Sequence, residues 1–177
     1  YNQYVTPSGD IPFSASKVHN LYRVGDRLVK RTASGDIALE TLPIGEALTE
    51  MWRWLLTGCS QVILVGFNNT SFDNPVLLHH SKKHCEEELM IRVRTATYSA
   101  DLRSIVGRKG KLEFHYNSCQ GPPIQLHDAL ADCMAVCHIL KSKNVSYEQL
   151  KKTAVSIESI VQKLAHPLLK AKLVTPI

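Results

Sequence analysis

The sequence predicts an α/β fold, a mixed sheet flanked by helices. Three observations predict it. Val62-Ile63-Leu64-Val65-Gly66-Phe67 is a nearly continuous apolar run of strand length, the pattern of a strand buried on both faces. Segments with apolar residues at helical spacing stand on either side of it. A short hairpin precedes them all, in which residues 21–24 and 27–30 flank Gly25-Asp26.

Taken in order, residues 1–6 alternate loosely as a strand and stop at the turn cluster Pro7-Ser8-Gly9-Asp10. The hairpin comes next. Residues 41–57 place Ile44, Ala47, Leu48, Met51, Trp54 and Leu55 near helical spacing, which predicts an amphipathic helix packed on the sheet. Trp52 and Trp54 fall on different faces of that helix, so at most one is core. The strand at 61–67 ends in a polar loop, 68–74. A helix over 75–90 then opens with Pro75 near its first turn. Residues 91–100 are rich in β-formers and run into Asp101. Residues 112–116 predict a short helix, and Gly121-Pro122-Pro123 a break. Helices over 127–140 and 146–164 complete the pattern, with an irregular tail after His166. The predicted organisation is one domain over 1–142, followed by a C-terminal helix and tail over 143–177.

Composition excludes several classes. The 177 residues are 44% hydrophobic and 21% charged, ordinary values for a globular chain. No apolar run approaches the ~18 residues of a membrane span, so no membrane partner is expected. No basic stretch followed by an apolar core opens the sequence. The five cysteines are odd in number and lack C-x-x-C spacing, which fits a reducing compartment. The expected location is therefore intracellular, nuclear or cytoplasmic. The formal charge of +5 permits a polyanionic partner without demanding one. No feature of the sequence specifies an oligomeric state.

Two constellations carry chemistry. Asn68-Asn69-Thr70-Ser71-Phe72-Asp73 sits where the apolar strand ends and a helix begins. Ligands bind at that edge in open α/β sheets. Asp73 there either faces a cleft or caps the helix. The second is His127-Asp128-Ala129-Leu130-Ala131-Asp132, at a helix start. His127 and Asp132, five residues apart, lie roughly 140° apart around a helix axis, which suits two groups reaching one site from neighbouring turns. The alternative is a solvated helix start whose acids favour the dipole. Two carboxylates and a histidine at a sheet edge suit a hydrolytic Mg²⁺ site, because hard cations take carboxylate oxygens and a histidine can accept a proton from water.

These segments resemble the DEDDh 3′-to-5′ exonucleases. His127-Asp128-Ala129-x-x-Asp132 resembles that family's third motif, and Asn69-x-x-Phe72-Asp73 its second. Residues 11–20, with Val18-His19-Asn20, resemble a family stretch ending in a Val-His-Gly turn, and Asp101-Leu102 resembles an Asp-Thr-Leu. The resemblance covers roughly residues 1–142. It implies a ribonuclease H-like sheet and a two-metal site of Mg²⁺ or Mn²⁺. It implies metal ligation by Asp73 and Asp132, His127 as general base, and substrate contacts from Asn69 and Phe72. The implied partner is nucleic acid, foremost a single-stranded 3′ end, cut to nucleoside 5′-monophosphates. The sequence departs from the family at Asn68, where the second motif commonly has His. It also has no Asp-x-Glu first strand, so the expectation is a chain lacking that strand and inactive alone. The rival expectation is a catalytically degenerate module that binds nucleic acid or protein.

Other signals are weaker. His80 and His84 stand at i, i+4 beside His79 and Cys85, a zinc-like spacing on a segment whose Lys82-Lys83 reads as a solvated face. Arg103, Arg108, Lys109 and Lys111, near Phe114 and Tyr116, form a stretch suited to a phosphate backbone or to a solvated loop. Cys133 and Cys137 read as small core residues.

Overall fold

In the computed structural model, which describes residues 1–164, strand β1 (Tyr4–Val5) leads through the turn cluster to helix α1 (Phe13–His19). The expected hairpin is next. Strand β2 (Leu21–Val24) pairs antiparallel with β3 (Arg27–Thr32), with Val24 opposite Arg27 across Gly25-Asp26. Gly25 has φ +58°, which such a tight turn requires and which glycine adopts without a Cβ clash. A third strand, β4 (Gly35–Leu39), extends the hairpin into a meander. The sequence pattern does not announce it, because Gly35, Asp36 and Ala38 are poor strand formers. Strand β5 (Thr41–Leu42) pairs parallel with β1.

Helix α2 (Ile44–Leu56) matches the helix expected over 41–57, but its buried face is Ala47, Leu48, Trp52 and Leu56. The predicted stripe is corrected at one position. Trp52 is wholly buried and Trp54 is 57% exposed. The i, i+4 series Leu48, Trp52, Leu56 sets the face, and Trp54 points away to sit against the Tyr1 ring. The Trp52 indole donates to Ser81 Oγ at 2.8 Å, so its one polar atom is satisfied in the core.

Strand β6 (Val62–Gly66) is succeeded by helices α3 (Asp73–His84) and α4 (Glu87–Ala96), then strand β7 (Thr97–Asp101). Two expectations are corrected here. The helix over 75–90 is two helices, broken at Cys85-Glu86, and residues 91–96 are helical rather than extended. Leu89, Met90 and Val93 form one buried helical stripe, and that burial overrides the β preference of Ile91 and Val93. Glu87 and Glu88 lie in the first turn of α4, where acids favour the helix dipole.

Helices α5 (Arg103–Val106), α6 (Leu112–Ser118) and α7 (Ala129–Ser142) come next. The helix expected over 146–164 is divided into α8 (Tyr147–Thr153), strand β8 (Val155–Ser156) and α9 (Ile157–Leu164). Ser146 opens α8 with a capping box to Gln149. β8 then pairs antiparallel with β7. The tail expected after His166 lies outside the described residues.

Parallel β6 and β7 with antiparallel β8 make a mixed sheet in the order β6-β7-β8. Helices cover both its faces. Val62 and Leu64 point to a core of Trp52, Leu78, Val93 and Ile157, shared by α2, α3, α4 and α9. Val65 and Phe67 point to the other, built by Leu102 with Tyr116 of α6 and Ala135, Val136 and Ile139 of α7. β6 is half-buried throughout rather than fully buried, because it borders the sheet. The boundary expected at residue 142 is no break in packing, since Ile157 and Ile160 share a core with Trp52. Among the described residues no helix is long and apolar enough to cross a membrane.

Trp52→Ala is expected to cost about 3–5 kcal/mol, by cavity formation and by orphaning Ser81. Trp54→Ala is expected to cost at most about 0.5 kcal/mol. Urea denaturation of the two variants checks this, and similar midpoints would contradict the assigned face.

Candidate functional site

The C-terminal ends of β6 and β7 lie side by side, with Gly66 opposite Asp101. Asp101 organises the loop that leaves β6. Its Oδ1 accepts the backbone N–H of Asn68 at 2.9 Å and of Arg103 at 3.0 Å. Its Oδ2 accepts the Thr70 hydroxyl at 3.2 Å. Asn68 has φ +64°, a left-handed conformation that asparagine tolerates better than most residues. That reversal turns the chain off β6 toward α3. Arg103 donates from Nη1 to Asn68 Oδ1 at 2.8 Å, with its guanidinium 5.8 Å from the Phe67 ring centre. Arg103 is therefore turned inward and is no part of a free basic stretch.

Asn69 is 4% exposed. Its amide donates to Ser99 Oγ at 3.1 Å and to the Ala100 carbonyl at 3.4 Å. Asn74 donates to the same Ser99 hydroxyl at 2.6 Å. A Cβ on Gly66 would stand 2.7 Å from Asn69 Cβ, so glycine is needed where Asn69 tucks in. Asn69, expected to contact substrate, is placed with its amide nitrogen holding the loop.

Phe72 is 62% exposed and precedes α3. Asp73, the first residue of α3, makes no side-chain cap, so the capping alternative fails. The residue is exposed, yet desolvation pushes its carboxyl above the usual range. The nearby charges of Asp101 and then Asp132 push the same way, against its own backbone N–H.

On the facing side, α7 begins at Ala129, so His127 lies before the helix rather than in its first turn. The 140° relation therefore does not apply. His127 has φ +76°, a conformation that costs about 1–3 kcal/mol in a non-glycine residue. Its N–H donates to Asp132 Oδ1 at 3.0 Å, which joins the two residues through the backbone. Asp128 is the N-cap, accepting the N–H groups of Leu130 and Ala131. It also pairs with Lys30 of β3 at 2.8 Å. The hydrogen bond from Lys30 holds the Asp128 carboxyl below its usual range.

Asp73, Asp101 and Asp132 thus share one electrostatic neighbourhood, with exposed His127 beside it. Cys133 adjoins it. Burial raises its thiol pKa, and Cys137, Asp132 and Asp73 raise it further. Cys133 and Cys137 are exposed, which corrects their expected core role. Asp101 enters the sequence reading only through the Asp101-Leu102 resemblance, which assigns it no role. Its signal is an acid at the C-terminal end of the adjacent parallel strand.

The remaining candidates sit elsewhere. Tyr116 is buried and donates to the Pro122 carbonyl at 2.6 Å, so it offers no stacking face, while Phe114 is 61% exposed. The His80 and His84 rings stack 6.2 Å apart. Among the described residues no group of three or more His, Cys, Asp or Glu side chains is placed to hold a metal ion, at that cluster or at the acids. Asp101 is occupied by its three donors, which leaves Asp73 and Asp132 as the available carboxylates. Two carboxylates do not by themselves make a two-metal site. No protein-family model matches the chain, and no curated protein matches it significantly.

The depressed Asp128 pKa means that the ion pair stabilises the fold above about pH 4, and that this contribution is lost as pH falls through the folded value. Asp128→Asn keeps a good cap and loses the pair, so it is expected to cost at most about 1 kcal/mol near pH 7. That cost should vanish in acid. Asp128→Ala also loses the cap, for about 1 kcal/mol more. Thermal melts across pH check both, and equal costs would contradict the capping role.

Proposed function

We propose that this chain forms most of a metal-dependent 3′-to-5′ exonuclease-type site. It would act at the 3′ end of a nucleic acid and release nucleoside 5′-monophosphates. One observation carries the reading. Asp73 at the start of α3 and Asp132 on α7 share one electrostatic neighbourhood beside exposed His127, at the carboxyl ends of two parallel strands.

Asp73 and Asp132 would hold Mg²⁺ or Mn²⁺, which when bound neutralises phosphate charge. The exposed His127 imidazole would take a proton from attacking water. Water attacks phosphorus, the bond to the 3′ oxygen breaks, and that oxygen leaves with a proton. Phe72 is exposed where a terminal base could stack on it. The family resemblance assigns two further acids to an Asp-x-Glu strand. β6 borders its sheet with an unpaired edge among the described residues, where such a strand would pair.

A second reading is a degenerate exonuclease-like module that binds nucleic acid or protein. It is favoured by the commitment of Asp101 to the loop. Within the family, the sequence resembles the exonuclease-like domain of the long promyelocytic leukaemia protein isoform, which bears on the same reading.

The test is a nuclease assay of the protein on a 5′-labelled single-stranded oligonucleotide with Mg²⁺ or Mn²⁺. A ladder shortening from the 3′ end is expected, abolished by Asp132→Ala and slowed about 10²–10⁴-fold by His127→Ala. No ladder from folded protein with either metal would replace the enzyme with the binding module.

A further inference from the structure

We propose that His80 and His84, on the last two turns of α3, form a two-imidazole site for a divalent transition ion of the Zn²⁺, Ni²⁺ and Cu²⁺ class, with water in the remaining positions. The proposal does not rest on the exonuclease reading. Asp73 lies at the opposite end of α3, about 10–16 Å from the pair along the helix axis.

Residues four apart on a helix lie about 40° apart around the axis and about 6 Å along it. His80 and His84 keep that relation out to their rings, which are 17° from parallel with centres 6.2 Å apart. Both rings therefore leave the helix in one direction. Their nitrogens are sorted as well. His80 Nδ1 is buried without a hydrogen-bond partner among the described residues. His84 Nδ1 is the ring nitrogen nearer α2, since a Cβ on Gly45 would meet it at 4.0 Å and His84 Cβ at 3.4 Å. The two Nε2 atoms are thus the outward pair, on an exposed His84 and a half-buried His80.

Imidazole nitrogen suits this class of ion, and imidazole is neutral, hence able to ligate, above its ordinary pKa of about 6.5. With metal–nitrogen bonds of about 2.0–2.1 Å, two rings on one ion have centres about 5 Å apart. The rings need to close by about 1 Å, which small torsion changes in exposed His84 supply. The carboxyl end of a helix also favours a cation. Lys82 lies about 180° around the axis from the pair and Lys83 about 80°. Both are exposed, so water and salt screen their repulsion.

The neighbours do not join. His79 meets His80 edge-on at 5.2 Å, outside the stacked pair. Cys85 is the C-cap of α3, half-buried, with Sγ 3.8 Å from the Thr49 hydroxyl of α2. Among the described residues the site has two protein ligands, which makes it open and completed by water, unlike the closed four-ligand zinc sites that drive folding. A bound ion ties one turn of α3 to the next, just before the chain breaks at Cys85-Glu86.

The test titrates Ni²⁺, and separately Zn²⁺, into the EDTA-stripped full chain at about pH 7.5, where imidazole is neutral. Excess Mg²⁺ is present to occupy carboxylates. Calorimetry should show one ion bound per chain and a melting temperature raised by the ion. His84→Gln, at an exposed position, should weaken binding at least about tenfold, because the second imidazole acts at high effective concentration. The same variant should abolish the rise in melting temperature. His79→Gln, and Cys133→Ser with Cys137→Ser, should leave the affinity unchanged. In wild type, Ni²⁺ should broaden the ring NMR signals of His80 and His84 together, a reading that needs no variant of half-buried His80. A dissociation constant above about 1 mM overturns the proposal, as does broadening that spares either ring. Binding lost in the cysteine variant and kept in His84→Gln would place the ion on the exposed thiols and overturn it. Displacement by Mg²⁺ would place the ion on carboxylates and also overturn it. A failed nuclease assay with Ni²⁺ bound at His80 and His84 would remove the exonuclease reading alone.

Discussion

Asp101 is the constraint on which the site depends. One carboxylate at the end of β7 accepts a backbone N–H and a hydroxyl from the loop between β6 and α3, and the backbone N–H of Arg103 at the start of α5. Hydrogen bonds to an ionised group contribute about 1.5–3 kcal/mol each. That is enough to offset the left-handed backbone at Asn68, which turns the chain. Asn69 and Asn74 complete the latch through Ser99, on the same strand. The result is that Phe72 and Asp73 emerge at a fixed place, over the ends of the parallel strands.

The opposite wall is built differently. α7 owes its start to Asp128, which caps the helix and holds Lys30 of the meander at once. His127 is thereby forced outside the helix, into a strained conformation that its hydrogen bond to Asp132 secures. Asp73, between these walls, lies in the first turn of α3, and desolvation, then its two acidic neighbours, raise its pKa. Acids gathered together, with backbone strain beside them, are where a functional site is expected in an otherwise consistent fold. The meander joins this arrangement because Lys30 of β3 faces α7.

Much of this was legible in the sequence where one physical effect dominates. The apolar run at β6, the Gly25-Asp26 turn and the helical spacing around Leu48 each identify an element. The failures come from competing effects. Ile91 and Val93 favour a strand by propensity, but burial of Leu89, Met90 and Val93 along one stripe makes the segment a helix. The break within 146–164 arises because β8 gains a partner in β7, a tertiary contact that no local pattern encodes. Asp73, His127 and Asp132 stand out in the sequence as candidates, whereas Asp101 appears there only in the Asp101-Leu102 resemblance, since its importance lies in three donors that only the fold brings together. The burial of Asn69 is likewise absent from the local pattern, because it depends on Ser99 and Ala100 of the neighbouring strand.

The central claim is that Asp73 and Asp132 share one site. Carboxyl-carbon NMR titration of Asp73, in wild type and in Asp132→Asn, tests it most directly. The account predicts that Asp73 titrates above the ordinary carboxylate range in wild type and moves downward when the Asp132 charge is removed, because a like charge nearby disfavours ionisation. An Asp73 that titrates at or below the ordinary range, or that does not respond to Asp132→Asn, would place the two carboxylates in separate environments and contradict the account.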